Sequence, residues 1–260
     1  MAMNVTPITG AEAWSAPGIG EAARVGCVVV HGFTGNPNST RPLGEFLASQ
    51  GHAVEVVRLP GHGTNVKDMA TTRYADWRAE VAGVVDDLAS RTDRIVLIGL
   101  SMGATICLDV AASSPDQVDA VASINAPILD RKGLLAKLAP YLEKILPVVP
   151  AKLAGIVEND IAKGGDEKGY DKVPAASANS LLVELPRIRA KLLDLTMPVL
   201  VAVSAQDHTV PPENSAALRE LLGSQRVTHL PLERSFHVAT LDHDAPLIEQ
   251  AVLALIAEIA

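Results

Sequence analysis

The sequence predicts an α/β protein whose mostly parallel sheet is flanked by helices. From residue 25 onward, short β-branched runs alternate with segments of helical periodicity, the order typical of strands joined by crossover helices. The run 25–30 is apolar throughout, as expected of a strand buried on both faces. With 260 residues, 48% of them hydrophobic and 20% charged, the chain has the composition of one folded domain with a sizeable core.

The first elements follow one another closely. The strand 25–30 precedes a helix whose apolar stripe lies within 43–47, and Gly51 ends that helix because glycine readily leaves the helical conformation. The next strand is expected over 53–58. These elements already show the strand, helix, strand order of a parallel sheet.

A second group of elements continues the pattern. Apolar side chains over 77–88 recur at intervals of three and four residues, which predicts an amphipathic helix. A strand over 94–100, a helix over 102–112 and a strand over 120–124 then follow directly. In the last third of the chain, strands are expected over 199–204 and 227–230. Proline and aspartate mark the start of the final helix near 245.

The segment 127–186 interrupts this alternation. No strand is expected there, but one helix is, with a stripe formed by Leu134, Leu135, Leu138, Leu142 and Ile145. We interpret 127–186 as a helical cap inserted over the carboxyl ends of the strands. The core is then formed by 25–126 and 187–260, preceded by an N-terminal segment, 1–24. The alternative is an ordinary pair of crossover helices with a long loop.

Charge and cysteine content restrict the partners and the compartment. Twenty-two Lys and Arg against 30 Asp and Glu give a net charge of −8, with no basic cluster. Nucleic acid and anionic membranes therefore are not expected as partners. Cys27 and Cys107 lie in apolar segments, which favours two free thiols over a disulfide or metal site. No signal peptide is recognisable, and we expect a cytoplasmic protein. The oligomeric state is not indicated.

Ser101 is the candidate nucleophile. It stands in Gly-Leu-Ser-Met-Gly, over 99–103, where a predicted strand ends and a predicted helix begins. A sharp strand-to-helix turn lifts a serine hydroxyl above the sheet, and small flanking residues allow the close turn. The alternative is an incidental turn serine.

A serine hydroxyl needs a base, and His237 is the candidate among seven histidines. His237 lies in the loop after the last strand, which emerges at the same edge of the sheet as Ser101. His31 and His62 are instead expected to stabilise loops. The alternative for His237 is a histidine of a surface loop.

The base needs an acid to orient it, and Asp207 is the candidate. It stands three residues after the strand 199–204 and lies between serine and histidine in the sequence. A turn or capping role is the alternative for Asp207. Asp242 and Asp244 are weaker candidates, since capping of the final helix explains them.

The reaction also needs donors for an oxyanion. The backbone N–H of Met102, directly after the nucleophile, is one expected donor. The second is expected from the loop His-Gly-Phe-Thr-Gly over 31–35, and we assign it to the N–H of Phe33.

Together these segments resemble the α/β-hydrolase fold, and more narrowly the small bacterial carboxylesterases and monoacylglycerol lipases. The matching stretches run in order from about residue 25 to the end: 28–36, 59–63, 99–103, 206–208 and 237–242. The resemblance implies a sheet of six or seven strands and a small helical cap. It also implies a triad of Ser101, Asp207 and His237, with the oxyanion hole at Phe33 and Met102, and no metal or cofactor.

Two residues depart from the pattern of that group. Ala104 stands where a second glycine is frequent, and Phe236 precedes the histidine where glycine is common. The alanine is a mild change, whereas Phe236 is expected to alter the mouth of the pocket.

The function predicted is that of a serine carboxylic ester hydrolase acting on apolar acyl esters, with monoacylglycerols as candidate substrates and an acyl-enzyme on Ser101. A small-molecule ester is thus the expected partner, and no strong membrane signal is present. Alternatives within enzymes are a carbon–carbon bond hydrolase or a peroxidase-type hydrolase with the same triad. A non-catalytic ligand-binding module of this fold is the alternative from another class.

Overall fold

The main sheet has seven strands among the residues that the structure, a computed structural model, describes: 6–130 and 145–260. In chain order the described strands are β1 (Trp14–Ala16), β2 (Val25–Val30), β3 (Ala53–Val57), β4 (Arg94–Leu100), β5 (Ala120–Ile124), β6 (Val148–Pro150), β7 (Lys172–Pro174), β8 (Val199–Ser204) and β9 (Val227–Leu232). Across the main sheet their order is β1-β3-β2-β4-β5-β8-β9, and β6 pairs with β7 in a separate ribbon.

Helices flank this sheet on both sides. Those of the described residues are α1 (Arg41–Ser49), α2 (Val66–Met69), α3 (Tyr74–Ala89), α4 (Met102–Ser113), α5 (Ala175–Leu182), α6 (Leu185–Lys191), α7 (Glu213–Leu221) and α8 (Ala245–Ala257). The six predicted strands and the predicted helices at α1, α3, α4 and α8 agree with these elements to within a few residues, whereas the short helix α2 was not predicted.

Six of the seven strands in the main sheet are parallel, and β1 runs antiparallel to β3 at the edge. The expected α/β-hydrolase fold with six or seven strands is confirmed. The short strand β1 gave no sequence signal, because three residues are too few for a period of two to stand out. Its register is set by pairing with β3, in which Trp14 lies opposite Val56.

The sheet is buried on both faces, and its side chains alternate between two cores. In β2, Val28 and Val30 contribute to the core beneath α3 and α4, while Cys27 and Val29 contribute to the core beneath α1 and α8. All six residues of this strand are buried. A strand covered on both sides gains about 1.5–3 kcal/mol from each large apolar side chain that it buries. This explains why the central strands are mostly apolar.

The segment 127–186 corrects one expectation. It contains the antiparallel pair β6 and β7, with Val149 opposite Val173, although no strand was expected there. Each strand has three residues and ends in a proline, so neither shows the length or alternation that identifies a strand. The helix predicted over 134–145 lies outside the described residues, except for Ile145, which is an exposed turn residue.

A buried ion cluster connects the helix that follows Ser101 with the helices beside it. Asp109 on α4 is fully buried and accepts hydrogen bonds from Arg187 of α6 at 2.9 and 2.7 Å. Arg78 and Tyr74 of α3 donate to the same carboxylate at 3.0 Å each. One carboxylate therefore fastens three helices near the point where 127–186 rejoins the core.

Candidate active site

Ser101 lies at a sharp turn between β4 and α4. Its backbone has φ 55° and ψ −126°, a conformation that residues with a Cβ rarely adopt. Its N–H donates to the carbonyl of Ile124 at 2.8 Å, which fastens the turn to the neighbouring strand. This is the geometry expected of a nucleophilic serine at the carboxyl end of a central strand.

Two glycines make this turn possible, because neighbouring backbone lies where their side chains would be. A Cβ on Gly103 would lie 2.3 Å from the carbonyl oxygen of Val30, and one on Gly99 would lie 2.3 Å from the nitrogen of Ala104. Both distances are far below van der Waals contact. The pattern of small residues around Ser101 is thus a requirement of packing between β2, β4 and α4.

His237 and Asp207 are hydrogen-bonded to each other in the loops after β9 and β8. The Nδ1 atom of His237 lies 2.7 Å from Oδ2 of Asp207, and their side chains are 9% and 1% exposed. The other oxygen of Asp207 accepts the backbone N–H groups of Thr209 and Val210 at 2.8 and 2.7 Å. The acid is therefore fixed by its own loop and holds the Nδ1 edge of the imidazole.

The protonation of His237 reflects this pairing. Burial alone lowers the pKa of the imidazole, but the charge and hydrogen bond of Asp207 raise it, and the charges of Glu167 and Asp160 add to the effect. The net result is a pKa above the ordinary value. Because Nδ1 donates to Asp207, the neutral ring carries its lone pair on Nε2 and is able to accept a proton there.

Ser101, His237, Phe33 and Met102 line one cavity of about 100 Å³. Most of its lining is apolar and comes from both the core and the segment 127–186, including Phe33, Met102, Ile156, Leu181, Leu182 and Val238. Thr34, Thr209 and Glu167 add polar groups. The structure thus brings four of the five predicted site residues to one cavity, and joins the fifth, Asp207, to it through His237.

The loop after β2 comes very close to the nucleophile. A Cβ on Gly32 would lie 3.1 Å from the Cβ of Ser101, and the next residue is Phe33. Met102 is the first residue of α4, so its N–H belongs to the first turn, where backbone donors have no acceptor within the helix. Phe33 and Met102 thus lie on the two segments that meet at Ser101, and a backbone N–H is able to stabilise a developing oxyanion whatever its side chain.

His31 fixes the shape of that loop. The N–H of Leu59 donates to Nε2 of His31 at 3.2 Å, and Nδ1 lies 2.9 Å from the carbonyl oxygen of Gly32. The carbonyl requires a proton on Nδ1 and the N–H requires a lone pair on Nε2, so the ring is neutral. Burial lowers the pKa of His31 well below its ordinary value, in agreement with this state.

His62 lies beneath the same loop. Its ring is buried against those of His31, Phe33 and Trp77, with centroids 5.1 to 6.2 Å apart. Its Nδ1 lies 3.1 Å from the carbonyl oxygen of Pro60. Burial lowers the pKa of His62 to about 4. The loop-stabilising roles expected for both histidines agree with these contacts.

The sequence did not reveal the residues that hold the loop of His237. The side chain of Asn125 donates to the carbonyl of His237 at 2.8 Å and accepts the N–H of Ser204 at 2.8 Å. The hydroxyl of Ser204 donates to the carbonyl of Phe236 at 2.8 Å. Asn125 has φ 50°, directly after β5, and a lone asparagine after a strand was the only sequence signal.

Asp242 and Asp244 have a different role from the capping that was expected. The final helix has no side-chain cap at Asp244. Asp242 instead accepts the N–H of Phe236 at 2.9 Å, and Asp244 accepts the N–H of Arg234 at 2.8 Å. Both carboxylates therefore order the loop that carries His237.

The ring of Phe236 packs edge-on against His208, with centroids 4.5 Å apart.

Glu167 is a further residue of the cavity that sequence analysis missed. Its N–H donates to the side chain of Asn159 at 2.9 Å, and its carbonyl accepts from Asn36 at 3.2 Å. Burial raises the pKa of the Glu167 carboxyl group; the nearby His237 lowers it, and the charges of Asp166 and Asp160 raise it further. No signal in the polar, glycine-containing stretch around Glu167 distinguished it from its neighbours.

The described part of the chain contains neither a cluster of metal-ligating side chains nor a helix suited to span a membrane. Within 6–130 and 145–260, no three His, Cys, Asp or Glu side chains are grouped so that they could hold a metal ion. None of the helices in these ranges combines the length and apolarity needed to cross a membrane.

Comparison with known proteins agrees with this geometry. The family described as serine aminopeptidase, S33, matches residues 21–244. The chain is 37% identical over 251 residues to a thermostable monoacylglycerol lipase of Bacillus sp. (strain H-257), covering 96% of each chain. It is 34% identical to a structure from work on LipS and LipT, two metagenome-derived lipolytic enzymes, with a TM-score of 0.89 over 97% of this chain and 100% of the other.

A third likeness concerns the fold alone. The crystal structure of a monoacylglycerol lipase of Paleococcus ferrophilus has a TM-score of 0.79 at 20% identity, covering 96% of this chain and 100% of that chain.

The fold and the arrangement of the site define an α/β-hydrolase. Within that class, the chain belongs to the serine aminopeptidase S33 family of hydrolases. The predicted resemblance and the predicted class of enzyme, a serine ester hydrolase, are confirmed.

Proposed function

We propose that the protein hydrolyses esters of apolar carboxylic acids, monoacylglycerols among them, through an acyl-enzyme on Ser101. The observation that carries this proposal is the shared cavity of a strained serine and a buried histidine that is hydrogen-bonded to an aspartate at 2.7 Å. The similarity to a bacterial monoacylglycerol lipase over nearly the whole chain supports the choice of substrate.

In the proposed mechanism, Oγ of Ser101 attacks the ester carbonyl while Nε2 of His237 takes its proton. The imidazolium that forms is stabilised by Asp207. The oxyanion of the tetrahedral intermediate accepts hydrogen bonds from the N–H groups of Phe33 and Met102. Collapse of the intermediate breaks the bond to the alcohol, which leaves with the proton from His237.

Deacylation repeats these steps with water. His237 takes a proton from the water molecule that attacks the acyl-enzyme, and returns it to Oγ of Ser101 as the carboxylic acid leaves. The residues named for these steps need no metal ion or organic cofactor.

We further propose that the segment 127–186 acts as the cap over the core segments 25–126 and 187–260. Its residues Ile156, Leu181 and Leu182 contribute to the apolar lining of the cavity. An apolar wall suits an acyl chain, because each CH₂ group that it buries contributes about 0.8 kcal/mol. The helices of this segment would therefore select the acyl chain.

Glu167 is in a position to bind the alcohol half of such a substrate. It brings a carboxyl group into a largely apolar cavity, beside Thr34. A carboxylate accepts hydrogen bonds from hydroxyl groups, and a monoacylglycerol has two free hydroxyls. We propose that Glu167 binds them during attack by Ser101.

Hydrolysis of a matched set of esters tests these roles. The set pairs p-nitrophenyl esters from acetate to palmitate with monoacylglycerols of the same acyl chains. Ser101→Ala should abolish turnover of both, whereas Ser113→Ala, a control at the exposed end of α4, should turn over both normally. Glu167→Gln should raise KM for monoacylglycerols about tenfold and leave p-nitrophenyl esters nearly unchanged, since a charged hydrogen bond contributes about 1.5–3 kcal/mol.

The outcomes separate the proposed activity from its alternatives. Full ester turnover by Ser101→Ala would refute the acyl-enzyme. A wild-type protein inactive on every ester, yet labelled at Ser101 by a fluorophosphonate, would favour carbon–carbon bond or peroxidase-type hydrolysis. An inactive protein that also resists labelling would favour a ligand-binding module.

We also propose a cytoplasmic location. The support is the pair of buried free thiols, Cys27 and Cys107, which suits a reducing compartment. Labelling of fractionated cells with an antibody against the protein would test it.

A further inference from the structure

Asp160 is a buried acid that the mechanism above does not use. It lies between β6 and β7, and its side chain is 3% exposed. Oδ2 accepts the backbone N–H groups of His208 at 3.1 Å and His237 at 3.2 Å. Oδ1 lies 2.7 Å from Nδ1 of His208, which donates to it. The backbone carbonyl of Asp160 also accepts the N–H of Val238 at 3.0 Å.

These bonds join three parts of the chain at the triad. His208 directly follows the acid Asp207, and His237 is the base itself. One carboxylate from 127–186 therefore holds the main chain of His237 and of His208, the residue next to Asp207, beside the 2.7 Å hydrogen bond between Asp207 and His237. N–H donors face both of its oxygens, so the buried side chain is fully hydrogen-bonded.

We propose that Asp160 is a positioning residue for ester hydrolysis: its carboxylate fixes the backbone of His237 against the loop of Asp207. The inference rests on the proposed function of the triad. Asp160 is not one of the described residues that line the cavity. It therefore acts through His237 and not on the substrate.

Three acids face His237 from the elements packed around it. They are Asp207 from the loop after β8, and Glu167 and Asp160 from the segment between β6 and β7. Each raises the pKa of His237 against the opposing effect of burial. Removal of the charge of Asp160 should therefore lower the pKa of His237, whereas loss of a purely structural contact would change no charge near it.

The test is the pH dependence of kcat/KM for Asp160→Asn with a p-nitrophenyl ester that the wild type hydrolyses. His237 must be neutral to act as a base, so a lower pKa moves the acidic limb of the profile to lower pH. We expect this shift together with a decrease in kcat of about tenfold and an unchanged KM, because loosened geometry slows the chemical step. The control Asp171→Asn removes an exposed charge from the same segment and should leave both properties unchanged.

A second pair of variants keeps the proposal testable where Asp160→Asn does not fold. His208→Leu removes a donor to Asp160 and should lower kcat severalfold without moving the acidic limb to lower pH, since the charge stays. His208→Gln keeps an N–H donor, so its kcat should lie between that of His208→Leu and that of the wild type. Circular dichroism and thermal unfolding establish that each variant is folded.

Specific results would overturn the proposal. A folded Asp160→Asn whose acidic limb and kcat match the wild type excludes the role, as does His208→Leu with wild-type kcat. Wild-type activity that persists in Ser101→Ala would instead refute the underlying triad. The two failures are therefore distinguishable within one set of assays.

Discussion

At the scale of single residues, Ser101 shows how strain and close packing prepare a nucleophile. Its positive φ is maintained because Gly99 and Gly103 let backbone approach within distances that no Cβ would allow. The serine is thus held in place by two positions that have no chemical role. The same logic applies to Gly32, which lets the oxyanion loop approach Ser101.

Gly103→Ala tests this packing. The new Cβ would meet backbone atoms of Val30 and His31 that cannot move independently, so we expect a loss of about 1–3 kcal/mol in the free energy of unfolding and at least tenfold lower kcat. Gly83→Ala is the matched control. Its Cβ meets nothing within 4 Å, and alanine in the middle of α3 should stabilise the protein by about 0.5–1 kcal/mol. Urea unfolding of both variants measures the difference, and equal stabilities would contradict the packing argument.

The raised pKa of His237 makes a second prediction at this scale. Since the ring must be neutral to accept the proton of Ser101, activity should be lost as the pH falls through a value above the ordinary 6.5 of histidine. Asp207→Asn removes the main causes that raise this pKa and leaves burial, so the acidic limb should move to lower pH. Its kcat should also fall by about 10⁴-fold, because the imidazole loses its orienting acceptor. A profile of kcat/KM against pH that does not move would refute the pairing.

At the scale of elements, the loops after β2, β4, β8 and β9 carry the site. The carboxyl ends of parallel strands meet at one edge of the sheet, so residues far apart in sequence come together there. Hydrogen bonds that Asn125 and Ser204 donate, and one that Asp242 accepts, then order the loop of His237. The elements bring the side chains close, and these polar contacts determine their orientation.

The buried cluster at Asp109 is expected to matter for stability more than any surface pair. Asp109→Ala removes the acceptor that Arg187, Arg78 and Tyr74 share; both arginines are partly exposed and Arg187 keeps Glu184, so we expect a loss of about 1–3 kcal/mol in the free energy of unfolding. Glu45→Gln breaks the exposed pair with Arg41 on α1 and should cost about 0.5 kcal/mol or less. Chemical denaturation measures the free energy of unfolding of both variants. A loss near zero for Asp109→Ala would contradict the role assigned to the cluster.

At the scale of the whole molecule, the core explains why the fold could be predicted. Both faces of the sheet are covered by helices, so the central strands are mostly apolar runs that are easily recognised. The order of those runs and the positions of Ser101, Asp207 and His237 after them follow from the sequence. The strands β1, β6 and β7 could not be predicted, because three residues carry no measurable period.

Global stability should depend on pH through the buried His62. Its folded pKa of about 4 lies below the ordinary 6.5, so between these values the unfolded chain binds a proton that the folded protein excludes. Stability should therefore be present above pH 6.5 and decrease as the pH falls toward 4. His62→Gln should show a shallower decrease, whereas the exposed control His243→Gln should follow the wild type. Urea unfolding from pH 7 to pH 4 measures these slopes, and parallel curves for wild type and His62→Gln would refute the argument.

The α/β class and the succession of the central strands along the chain could be predicted from the sequence, which also led to the three residues proposed as the triad. These follow from local patterns, since apolar runs, turn residues and a nucleophile motif lie within a few positions of one another. Only the tertiary structure showed Asp160, Asn125, Asp242 and Glu167 around His237. The roles of Asp160, Asn125 and Glu167 depend on segments tens of residues apart in the sequence, and a single polar residue in a loop has no local pattern that predicts such a contact.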